Sequence, residues 1–115
     1  MLRDEKRGER VEDDVWLSPN GRDRVVIRAE LFGKQVENAV VVYVANIRGV
    51  EYQIVRFDMV HGFFHKDALY EGKPFKTPVF QDASTGTLWN IVREIRENFV
   101  EYRKKFVRNH LEVKK

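Results

Sequence analysis

From Thr87 onward the apolar residues change rhythm, and that change sets the fold class. Leu88, Val92, Ile95, Phe99, Tyr102, Phe106, Asn109 and Val113 step by four and three in strict alternation, which places them on one stripe of a long helix. Upstream, Val25, Ile27, Ala29 and Leu31 alternate with Arg24, Arg28 and Glu30. That period of two describes a half-buried strand. With 115 residues there is room for one core and one domain. The expected architecture is therefore α+β: a twisted, mainly antiparallel β-sheet of four to five strands packed against one long C-terminal α-helix. The sheet should occupy about residues 15–80 and the helix about 87–112, in a single domain over 15–115.

Turn chemistry divides the sheet. Ser18-Pro19-Asn20-Gly21 is a strong turn signal, Gly33-Lys34-Gln35 another, and Arg48-Gly49 makes a tight connection. Between the last two lies "VENAVVVYVANI", β-branched and apolar at both parities, which reads as a central strand covered on both faces. "VEYQIVRFDM" follows as the next strand of an antiparallel meander. In "PFKTPVF" the prolines Pro74 and Pro78 confine the chain to an edge or a loop. "QDASTG" supplies helix caps. Residues 1–14 are mixed in charge and nearly free of apolar side chains, the composition of a disordered tail that the fold can lose.

A helix of 26 residues spans roughly 39 Å, against ~20 Å for a typical strand. Its second half is expected to overhang the sheet, and the stripe Phe99, Tyr102, Phe106 then needs a partner surface. A homodimer would bury it, with Asn109 fixing the register of the paired helices.

Composition narrows the chemistry. No cysteine is present, which excludes disulfides, thiolate metal sites and thiol nucleophiles. The longest apolar run, Ala39 to Ala45, is far short of a membrane span. The charged N-terminal residues do not resemble a secretory signal, so the expected address is the cytoplasm. High charge without cysteine also suits a heat-adapted protein. Residues 1–14 sum to −2 and residues 93–115 to +4, within a net charge of +3. The basic C-terminal segment can attract phosphates or acidic partners, or serve only as a solvated helix face. His110 lies within it and reads as a surface residue.

The densest ionisable chemistry is in "VRFDMVHGFFHKDALYEG", residues 55–72, with Arg56, Asp58, His61, His65, Lys66 and Asp67. On a straight strand Arg56 and Asp58 would share a face with Tyr52 and Ile54, and Val55, Phe57 and Met59 the other. The two histidines would stand roughly 13 Å apart on an extended strand, but a turn at Gly62 could bring them together. Asp58 or Asp67 could then complete a metal site of two histidines and a carboxylate, although the helical context that makes this spacing specific is missing. The preferred chemistry needs no metal or other cofactor. RNA cleavage requires a base, an acid and fixed cations, and His61, His65, Arg56 and Lys66 meet that list, with Asp58 pairing or orienting. Phe63 and Phe64 could stack on bases, or belong to the core.

"VRFDMVHGFFHKDAL" resembles the signature of the TumE-type toxins of toxin–antitoxin systems and their archaeal relatives. Arg56, Phe57, Asp58, His61, His65 and Lys66 match that pattern, while Asp67 stands where the family has a final histidine. The order of elements, sheet first and helix last, also fits. What the resemblance implies is a toxin-like component, acting on RNA and held by a cognate antitoxin protein. The competing expectation is a non-enzymatic dimerising or protein-interaction module. In that case the segment's side chains would be scattered, or closed off by ion pairs.

Overall fold

In the computed structural model, which describes residues 8–60, 62–73, 76–80 and 82–112, the chain is an α+β meander. Six strands follow one another in sequence order: β1 (Glu9–Trp16), β2 (Asp23–Phe32), β3 (Gln35–Ile47), β4 (Val50–Val60), β5 (Phe63–Asp67) and β6 (Lys76–Phe80). Every neighbouring pair is antiparallel. One helix, α1 (Thr85–Phe106), crosses a single face of the sheet, and a π-helical turn (Val107–Leu111) ends it.

The strand count exceeds the expected four to five for two physical reasons. β5 follows the turn expected at Gly62 and adds a strand of its own, since Phe63 to Asp67 fold straight back onto β4. β1 begins at Glu9, inside the stretch 1–14 read as a tail. Its acidic composition hid a period-two pattern, with Val11 and Val15 half-buried against the core and Arg10, Glu12 and Asp14 on the other side. Eight backbone pairings with β2 hold it, and cross-strand ion pairs such as Arg28–Asp14 (3.3 Å) absorb its charge. A strand at the sheet edge needs few apolar residues when its backbone is paired and its charges are matched.

The two-residue connections are compact. At Arg48-Gly49 both residues have positive φ, 57° and 86°, the signature of a type I′ hairpin. The helix starts where Ser84 caps it, accepting from the Thr87 backbone N–H at 3.2 Å. Just before it, the chain is docked on the β2–β3 hairpin by Val36 N–H to Ala83 O (2.7 Å) and Thr85 N–H to Lys34 O (2.9 Å).

From that anchor α1 runs over β2, β3 and β4. Leu88, Ile91 and Ile95 meet Val25, Ile27, Val41, Tyr43, Val55, Phe57 and Phe64 in a fully buried core. The expected overhang is absent because the strands are long. β3 has 13 residues and the helix 22; at ~3.3 Å and ~1.5 Å per residue these span roughly 43 and 33 Å. Phe99 meets Tyr43 edge-on at 5.9 Å, Tyr102 stacks on Tyr70 at 4.5 Å, and Phe106 meets Tyr52 at 5.2 Å. The stripe Phe99, Tyr102, Phe106 is thus packed within one chain, correcting its assignment to a dimer interface. Asn109 donates from Nδ2 to Tyr70 O at 3.0 Å rather than pairing helices.

A bulge in β4 decides which side chains face the helix. Tyr43 pairs with Val55 and Val44 with Gln53, leaving Ile54 unpaired. Ile54 and Val55 are both fully buried, so strand parity reverses there. Contrary to the straight-strand expectation, Tyr52 shares the helix side with Val55 and Phe57. Arg56 and Asp58 share the open side with Gln53 and Glu51. β3 is buried at both parities as expected, but by different means. Its open-side residues Val42 and Val44 lie beneath the long side chains of Arg24, Glu51 and Gln53 rather than a second layer. No helix among the described residues is long and apolar enough to cross a membrane.

Since β1 is a paired strand, deleting residues 1–14 should lower the melting temperature by about 5–10 °C, through loss of Val11 burial and of the β2 pairing. Circular dichroism melts of the truncated and full chains measure this, and an unchanged temperature would show that β1 contributes nothing.

Candidate functional site

The ionisable segment is divided by the sheet. On the open face, β4, β5 and β6 bring together Arg56, Asp58, His65, Asp67 and Lys76. Asp58 is opposite His65, Arg56 opposite Asp67, and Asp67 opposite Lys76. Arg56 donates from Nε to Asp58 Oδ2 at 3.3 Å. Lys76 reaches both oxygens of Asp58 and Oδ2 of Asp67, all at 3.1 Å. Hydrogen bonds to Asp67, and then to Asp58, raise the Lys76 ammonium above the ordinary lysine value. His65 stacks on Phe63 at 4.9 Å, and its Nδ1 is buried without a hydrogen-bond partner among the described residues.

Lys66 and Phe64 are on the other side. Phe64 is fully buried in the core, which resolves it as packing rather than a base-stacking residue. Lys66 points under α1, where its Nζ lies 3.3 Å from Glu94 Oε2 and 3.3 Å from the Tyr102 hydroxyl. The rings of Tyr102, Tyr70 and Phe57 surround it at 5.0, 5.6 and 5.7 Å. Burial by itself would lower its pKa. The Tyr70 and Tyr102 hydroxyls and the Glu94 carboxylate outweigh that, and the ammonium is held above its ordinary value. The expected convergence of Arg56 and Lys66 on one site is therefore corrected: the backbone separates them, because Lys66 is opposite Phe57 and not Arg56. His61 lies outside the described residues. Gly62 has φ of 86° beside the paired ends Val60 and Phe63, consistent with the turn assigned to it.

The arrangement has limited chemical scope. Both open-face cations already rest on carboxylates, so a phosphate approaching them would meet Asp58 and Asp67 as well. Among the described residues no group of three potential metal ligands forms.

Two other features were missed in the sequence. Asp23 is 2 % exposed and accepts from the Tyr43 hydroxyl at 2.5 Å and from Ser18 Oγ at 3.0 Å, with Arg103 Nη1 at 3.9 Å. Burial first, then this hydrogen bond, pushes the Tyr43 phenol well above its ordinary value. The signal was available: Asp23 occupies the core parity of Val25 and Ile27. The second feature is a groove of about 440 Å³ at the π turn, lined by Arg103, Lys104, Val107, Arg108 and Glu112.

A family model described as a domain of unknown function, DUF7718, matches residues 8–112. The chain belongs to the DUF7718 family. No curated protein and no solved structure matches it. The matched span of this DUF7718 chain covers the whole sheet, α1 and the π turn.

Lys66 should behave as a structural residue and Arg56 as a surface one. Lys66→Ala leaves Glu94 and Tyr102 without their cation and should cost about 2 kcal/mol in urea denaturation. Arg56→Ala should cost less than about 1 kcal/mol. Equal losses would contradict the division between faces.

Alkaline pH tests the same interior. The folded-state pKa of Lys66 is raised, as are those of the Tyr43 and Tyr102 phenols. Above about pH 10 the unfolded chain sheds protons that the folded chain keeps, so stability is full below that value and falls as pH rises. The decline should be shallower in Tyr43→Phe, measured as melting temperature against pH.

Proposed function

We propose that this protein works by binding, without chemistry of its own, as a toxin-like component held by a protein antitoxin. The observation that carries the reading is the neutralisation of the ionisable segment. Arg56 and Lys76 are held by Asp58 and Asp67, while Lys66 is enclosed beneath α1. Phosphate cleavage needs cations free to meet developing charge and a proton donor and acceptor beside them. Ion pairs between opposed side chains instead give a rigid, specific surface suited to a partner chain. The toxin-like half of the proposal rests on the resemblance of residues 55–69 to the TumE-type signature, which Arg56, Phe57, Asp58, His65 and Lys66 match.

One observation favours the ribonuclease alternative, the Nδ1 of His65, without a hydrogen-bond partner among the described residues and beside Arg56 and Asp58. Incubating the purified protein with labelled single-stranded RNA separates the two readings. Binding without chemistry leaves the RNA intact for the wild type and for His65→Ala alike. Cleavage that disappears in His65→Ala would overturn the proposal. Co-expression with the product of the adjacent gene supplies the second arm, in which the two chains should purify together at fixed ratio.

A further inference from the structure

We infer that the end of the molecule at the π turn binds the phosphates of a single-stranded nucleic acid. The inference rests on the reading of binding without cleavage and names a ligand class for it. Three elements meet there. The Asn46 N–H donates to Arg22 O at 2.7 Å, and Arg103 Nη2 donates to Asn46 O at 3.1 Å. This joins the β1–β2 loop, the end of β3 and the last turn of α1. Around the junction stand Arg22 and Arg48, both exposed, with Arg103, Lys104 and Arg108, and one carboxylate, Glu112, lining the groove over Val107.

The charges here are treated differently from those on the open sheet face. On that face Arg10, Arg24, Arg28, Arg56 and Lys76 each sit on a carboxylate. At the π turn Arg103 and Lys104 have Asp23 and Glu101 at 3.9 Å, while Arg22, Arg48 and Arg108 form no ion pair with any described residue. Cations in the last turn of a helix complement its dipole, which accounts for Lys104 and Lys105. It does not account for Arg22 and Arg48, which come from two strand connections.

Arg48 adds an independent observation. Its φ of 57° is in the left-handed region, at a type I′ position where asparagine is favoured over a long side chain. A cation stands where the fold would be better served by another residue. The π turn adds another. Such turns are rare and concentrate at functional sites, and this one is fixed by Asn109 to Tyr70 O and by His110 Nε2 to Glu71 O at 2.7 Å. Those contacts hold Arg108 at the groove.

The chemistry favours a nucleic-acid strand over an acidic protein. Four of the five cations are arginines, whose planar fork takes phosphate oxygens in pairs. At the same end Val50 is 50 % exposed, and Trp16 is 57 % exposed on the open-face side of β1 with the Arg24 guanidinium 5.8 Å over its ring; the indole surface left exposed gives an unstacked base a platform. A duplex offers no unstacked base, so the strand is single.

The test is fluorescence anisotropy with a labelled single-stranded RNA of about twelve nucleotides. Wild-type protein should bind it, with affinity falling as salt rises. The double variant Arg48→Asn, Arg108→Ala should bind at least about tenfold more weakly, with a salt slope reduced by about 1.4 for the two lost contacts. Arg48→Asn alone should weaken binding without lowering the melting temperature, so loss of affinity is separable from unfolding. Arg10→Ala, at the opposite end of the sheet, should bind as wild type. Equal binding by the double variant overturns the inference, as does a poly-glutamate peptide competing as well as RNA of the same charge. RNA recovered cut would count against binding without cleavage and leave the site standing.

Discussion

Asp23 carries a carboxylate into the apolar side of β2, and much of the architecture is arranged around it. Leaving such a group buried and unpaired would be strongly destabilising. The Tyr43 hydroxyl, Ser18 Oγ and the Arg103 guanidinium each approach it, from β3, the β1–β2 loop and α1. One buried charge thereby ties β2 to the adjoining β1–β2 loop, to β3 and to the distant α1. It fixes where the last turns of the helix sit, since Arg103 must reach both Asp23 and Asn46 O. With Ala83 and Thr85 anchored on the β2–β3 hairpin at the other end, the diagonal of α1 across the sheet is set at both ends. Neither anchor depends on side-chain hydrophobicity, so the apolar stripe is left to supply burial while polar contacts supply direction.

The diagonal in turn determines what each strand residue becomes. A side chain under α1 must be apolar or fully partnered, as Lys66 is by Glu94 and the tyrosines. A side chain on the other face meets water and needs only a neighbour of opposite charge. The β4 bulge sorts Arg56 and Asp58 to that second class, because without the extra residue at Ile54 they would lie against the helix with Tyr52. A single inserted residue thus moves two charges between environments that differ by several kcal/mol in what they tolerate.

The fold was legible wherever pattern outran composition. The stripe from Leu88 to Phe106 and the alternation from Val25 to Leu31 are read without ambiguity, since each repeats a single period over several turns or pleats. β1 was illegible because its pairing energy comes from backbone hydrogen bonds and cross-strand charge, which hydropathy does not register. β5 was legible only as the far side of a turn at Gly62, because its extent and its pairing with β4 are dictated by Phe64 entering the core. The site failed for a different reason. Parity arguments assume unbroken strands, and nothing in "YQIVRF" announces that Ile54 and Val55 both turn inward. Asp23 was readable in principle, as a charge on an apolar face. Its partners Tyr43 and Arg103 stand 20 and 80 positions away in sequence, a distance that no local pattern spans.

How the chain distributes its positive charge bears on what it is for. A protein seeking only solubility gains little from concentrating cations, because like charges at one end repel and lower stability. On the open face this chain avoids that penalty by interleaving Arg10, Arg24, Arg28 and Arg56 with Glu30, Glu51, Asp14 and Asp58 on β1, β2 and β4. At the π turn Asp23 and Glu101 serve Arg103 and Lys104, each at 3.9 Å, but the device is absent at Arg22, Arg48 and Arg108 among the described residues. Its absence there cannot be laid to the helix dipole, since residues 22 and 48 belong to strand connections. It cannot be laid to the hairpin either, since the left-handed backbone at Arg48 disfavours the residue that occupies it. A charge placed against both electrostatic and conformational preference is explained by something outside the chain that meets it, and an anion is what such a site would meet.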